Sequence, residues 1–81
     1  MNNVGVDGMR RHEVRITELS ATEWRICDRS IVDGDPSAVL GFIQQVEGAY
    51  EVTRLAALRE RSYFSSFERA AASFAGRAVL T

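Results

Sequence analysis

With 81 residues the chain has room for one hydrophobic core, and a domain of this size buries only about 60 to 65% of the surface its unfolded form exposes. Its 46% hydrophobic and 26% charged residues argue against disorder along most of the length, and a net charge of -1 excludes a one-signed field that would steer it onto nucleic acid or anionic lipid. The single cysteine, Cys27, rules out an intrachain disulfide, no apolar run reaches the roughly 20 residues of a membrane span, and the absence of lysine removes Schiff-base chemistry.

Residues 1–10 are polar and glycine-bearing without periodicity, so they are expected to form a disordered leader to a single domain over residues 11–78, with 79–81 as a tail. Met9, where patterning begins, is an alternative natural start. From Glu13 to Leu19 polar and apolar residues alternate through Ile16, the mark of a half-buried strand with Val14 and Ile16 facing inward. Ser20, Ala21 and Thr22 make a small-residue turn. Glu23 to Asp28 alternates again, with Trp24 and Ile26 on one face and Arg25 and Cys27 on the other, which completes an antiparallel hairpin.

Asp33-Gly34-Asp35-Pro36 is a strong turn cluster. Beyond it, Ser37 to Glu47 admits two readings. Asp35 can cap a helix with Pro36 at its first position and Val39, Leu40, Ile43 and Val46 on one face. Gly41 costs such a helix about 1 kcal/mol, and Leu40, Phe42 and Val46 fit one face of a strand ending before Gly48. The strand, from about Leu40 to Val46, is preferred. After a turn at Glu47 to Ala49, Tyr50 to Leu55 alternates and returns antiparallel. Ala56 to Glu60 is too short for a stable helix and is read as a loop or single turn.

A last strand, Arg61 to Phe64, leads into a capping box formed by Ser65 and Glu68, so a helix is expected to start near Ser66. Phe67, Ala70, Ala71, Phe74 and Ala78 share one stripe, Glu68, Arg69, Ser73 and Arg77 look outward, and Gly76 is placed to end the helix. The fold class is therefore α+β: an antiparallel sheet of about five strands, two hairpins plus a final strand, covered on one face by a C-terminal helix. Trp24, Phe42, Phe64, Phe67 and Phe74 are expected to supply most of the core.

The runs Trp24-Arg25-Ile26-Cys27-Asp28, Leu40-Gly41-Phe42-Ile43, Tyr50-Glu51-Val52 and the spaced Phe64, Ser66, Phe67, Glu68 and Ala70 resemble short, functionally uncharacterised sheet-plus-helix proteins of high-GC Gram-positive bacteria. That resemblance implies a fold and a soluble bacterial setting, and neither an activity nor functional residues. With the lone cysteine, a reducing cytoplasm is the expected compartment.

No motif carries catalysis. His12, between Arg11 and Glu13, has no triad partners, and Cys27 has the character of a small apolar filler. Asp28, Asp33 and Asp35 crowd one loop without the spacing or terminal Glu of a calcium loop, so no metal site is expected. Gly34, Gly41 and Gly48 are isolated and build no phosphate cradle, and no cofactor is expected. The reading is a non-catalytic module acting through protein contacts, with a partner protein or a second copy, at a sheet edge or the outer sheet face. Tyr50, Leu58 and Tyr63 are its candidate contact residues. The alternative is nucleic-acid binding through Arg15, Arg25, Arg61 and Tyr63 on the face opposite the helix. Glu13, Glu23, Glu51 and Thr53 share that face, and interleaved carboxylates disfavour phosphate. No membrane contact is expected.

Overall fold

Alternation through Ile16 in Val14–Ser20 (β1) and along Glu23–Asp28 (β2) makes a hairpin closed by Ala21 and Thr22, with the Thr22 N–H donating to Ser20 Oγ at 3.1 Å. The computed structural model describes residues 13–75; the expected leader and tail, His12, and the Gly76, Arg77 and Ala78 end of the helix lie outside the described residues. Val39–Val46 (β3) and Ala49–Arg54 (β4) form a second hairpin. Its two-residue turn places Glu47 at φ 22° and Gly48 at φ 81°, the left-handed pair whose twist matches that of the flanking strands. Ala57–Phe64 (β5) completes an open antiparallel sheet in which the five strands lie in chain order, and Phe67–Ala75 (α1) packs on it.

The helix-start signal at Asp35 is present but propagates for only one turn. Asp35 Oδ1 accepts from the Ser37 N–H and the Ser37 hydroxyl, each at 2.9 Å, and Pro36–Ala38 forms a 3-10 turn before the chain extends into β3. β3 is the central strand, between β2 and β4. Its Gly41 faces α1, where a β-carbon would lie 2.1 Å from Thr53 O and 2.9 Å from Phe74 Cε1, so the residue that weakens a local helix is the one this packing demands.

The expected loop at Ala56 to Glu60 is half right. Arg54 pairs with Ala57 and Thr53 with Arg61, so Leu58, Arg59 and Glu60 are three extra residues that interrupt the ladder within β5.

One core lies between sheet and helix. Ile26, Ile43, Val52, Ala70 and Phe74 are buried, with Val14, Trp24, Leu40, Tyr50, Phe64, Phe67 and Ala71 packed around them. Full burial of a side chain such as Ile26 contributes about 1.5 to 3 kcal/mol before entropy is subtracted. Ala70 has no exposed surface, and its small side chain lets α1 approach the strands closely. At one end the ring of Phe67 sits 4.8 Å from Trp24 and 6.1 Å from Tyr50. At the other, Arg54 lays its guanidinium 4.6 Å over the Phe74 ring and donates to Ser73 O at 2.9 Å, serving a carbonyl of the last helical turn.

Three expectations are corrected. Phe42 is not in the core: Gly41 and Ile43 take the inward positions of β3, and Phe42 points to the opposite face with 36% of its surface exposed. Tyr50, a candidate contact residue, does not lie on the outer sheet face: its register partners Gln45 and Phe64 place it, half-buried, on the helix side among the rings. The helix cap is Ser66 rather than Ser65. Ser66 Oγ accepts from the Arg69 N–H at 3.1 Å and Ser66 O from the Ala70 N–H at 3.1 Å, so Glu68 is not the reciprocal box residue.

Candidate interaction surface

Because opposed residues in an antiparallel ladder share a face, the register defines the side of the sheet away from α1. One row crosses all five strands: Thr17, Arg25, Phe42, Thr53 and Arg61. Beside it runs Glu23, Gln44, Glu51 and Tyr63. Arg15 lies further along the same face, opposite Cys27. The structure therefore brings together four of the six residues singled out from sequence: Arg15, Arg25, Arg61 and Tyr63. Leu58 is 56% exposed but sits in the β5 interruption, and Tyr50 belongs to the core side.

Most charges on this face are already engaged. Arg15 Nη2 lies 3.5 Å from Asp33 Oδ1 and donates to Ile31 O at 3.4 Å, which draws the loop after β2 over that end of the sheet, where Cys27 is buried. Arg61 Nε is 3.7 Å from Glu51 Oε2, and its Nη1 donates to Leu58 O. The Tyr63 hydroxyl donates to the same Glu51 oxygen at 2.8 Å, and this hydrogen bond, aided by desolvation and the Glu51 charge against the opposing Arg61 charge, holds the phenol above its usual range. Glu13 reaches Arg29 at 4.0 Å. In the loop, Asp28 Oδ1 accepts from the Ser30 N–H at 2.9 Å and the Ser30 hydroxyl at 2.6 Å, so Asp28, Asp33 and Asp35 each serve a different local partner.

Arg25 differs from the other two arginines. Among the described residues it has no ion pair, whereas Arg15 and Arg61 each have one; its buried Nε, like that of Arg15, has no hydrogen-bond partner. Next to it Phe42 forms part of an open groove of about 330 Å³, lined by Leu19, Glu23, Phe42, Ile43, Gln44 and Thr53. Leu19 and Phe42 make this groove the apolar centre of an otherwise polar face. Sequence reasoning missed both, although the signal was present: if Ile43 faces the core then Phe42 does not, and the register sets it beside Arg25.

Comparison with protein-family models, with curated proteins and with solved structures found no match. Among the described residues no helix is long and apolar enough to cross a membrane.

Proposed function

We propose that this chain is a small non-catalytic binding module that docks a protein partner on the outer sheet face, with the open sheet edge at β1 adjoining it. The observation that carries the reading is Phe42, exposed at the centre of that face beside the one arginine there, among the described residues, that lacks an ion pair. An apolar side chain over Phe42 and a carboxylate for Arg25 are the chemistry such a partner would supply. The buried thiol of Cys27 suits a reducing cytoplasm, which we propose as the setting.

Nucleic-acid binding is the second reading, favoured by Arg25 beside Phe42, since a base can stack on the ring while the guanidinium meets phosphate. It ranks lower because Arg15 and Arg61 are matched by Asp33 and Glu51, and a phosphate backbone is held by several uncommitted cations. Affinity capture with the full chain from the source lysate, with and without nuclease and high salt, separates the readings. A protein retained under both treatments and lost with Phe42→Ser supports docking. Binding that vanishes with nuclease and falls steeply with salt overturns it in favour of nucleic acid.

A further inference from the structure

The two edges of the sheet are not equivalent. On β5 the three extra residues Leu58, Arg59 and Glu60 break the ladder, a device that blunts an edge against pairing. On β1 the register with β2 is unbroken from Val14 to Glu18. The Arg29 N–H donates to Glu13 O at 2.9 Å, and antiparallel pairs alternate in bonding, so Glu13, Arg15 and Thr17 turn their backbone groups toward β2. The Gln45 N–H, donating to Thr22 O at 2.8 Å, requires the same alternation from the other side of β2: Trp24 and Ile26 bond toward β3, which leaves Arg25 and Cys27 for β1. The backbone groups of Val14, Ile16 and Glu18 therefore face away from β2, at an edge that is open among the described residues.

Ile16 adds the second observation. It lies on the helix side of the sheet, opposite Ile26, yet α1 packs mainly on β3, β4 and β5, and Ile16 is 41% exposed. From these facts we infer that β1 pairs antiparallel with β1 of a second copy of this chain, about a two-fold axis through Ile16. That register is the one in which all three outward-facing residues bond: Ile16 with the partner's Ile16, and Val14 with the partner's Glu18 in both directions. Like charges stay apart, since Arg15 stands opposite the partner's Thr17 and Glu18 opposite the partner's Val14. Centring the axis on Glu18 would instead oppose two carboxylates. The result is a continuous ten-stranded sheet with both helices on one side and the Ile16 pair between them.

The inference rests on reading the chain as a protein-binding module but uses residues distinct from the Phe42 groove. Sedimentation of the full chain from micromolar to millimolar protein reads it directly. Wild type is expected to shift from monomer to dimer with concentration. Ile16→Pro, which removes only an outward-facing N–H of the ladder, is expected to weaken association at least about tenfold, while Phe42→Ser leaves it unchanged. A second test is independent of proline tolerance. Bonded antiparallel pairs have α-carbons about 5.5 Å apart, within disulfide range, so Ile16→Cys is expected to cross-link into a dimer on oxidation and Glu18→Cys is not. A chain that stays monomeric throughout, whether its edge is left open or covered by its own residues 1–12, overturns the inference. So does a dimer in which Glu18→Cys cross-links in place of Ile16→Cys. In either case the capture experiment on Phe42 retains its meaning.

Discussion

Phe74 and Gly41 meet face to face across the sheet–helix interface, with Phe74 Cε1 2.9 Å from where a β-carbon on Gly41 would stand. Thr53 O is closer still, at 2.1 Å, and as a backbone atom of the neighbouring strand it cannot rotate away. Gly41→Ala is therefore expected to destabilise the fold by about 3 kcal/mol, the upper end for overpacking a core. Chemical denaturation of the two proteins checks this.

The assignment of inner and outer faces separates two phenylalanines. Phe74→Ala removes a buried ring and is expected to cost about 3 to 5 kcal/mol, against a total stability of about 4 to 12 kcal/mol for a domain of this length. Phe42→Ser, on the outer face, is expected to cost about 1 kcal/mol and leave a cooperative transition. Thermal unfolding by circular dichroism distinguishes them, and equal losses would contradict the register of β3.

Capping by Ser66 rather than Ser65 predicts an asymmetric pair of variants. Ser66→Ala leaves the Arg69 N–H without its acceptor and is expected to cost about 1 kcal/mol. Ser65→Ala, at an exposed position, is expected to stay within about 0.5 kcal/mol of wild type. Urea midpoints of the two variants give the answer.

Two groups predict how pH acts on the folded chain. The Ser37 N–H and, next, the Ser37 hydroxyl hold the Asp35 carboxyl below its usual value of 3.8, so this group's contribution to stability is present above that value and is lost as the pH falls through the lower folded value. Asp35→Asn keeps a capping side chain and is expected to flatten the acid limb of the stability curve.

At the other end of the scale, the hydrogen bond to Glu51 raises the Tyr63 hydroxyl above 10.0, so its contribution is present below that value and is lost as the pH rises through the higher folded value. Tyrosinate absorbance, with Tyr63→Phe as the blank that isolates this ring, is expected to show late ionisation that Glu51→Gln returns toward 10.0.

Local pattern alone determined the strands of the first hairpin and β4, the apolar stripe of α1 and the two-layer plan, because alternation and three-to-four spacing are properties of consecutive residues. It also placed Arg15, Arg25, Arg61 and Tyr63 on one face. It did not determine which residues of β3 look inward: Phe42 lies on the side opposite to its expected one. Short apolar runs such as Leu40 to Ile43 fit either parity, and only the approach of Phe74 to Gly41 selects one. The outcome at Asp35 was likewise decided from outside the segment, since β3 gains a ladder on both sides that a lone helix there could not match. Which outer-face arginine lacks an ion pair among the described residues was invisible in the sequence as well, because Asp33 and Glu51 reach Arg15 and Arg61 only once the loop and strands have folded together.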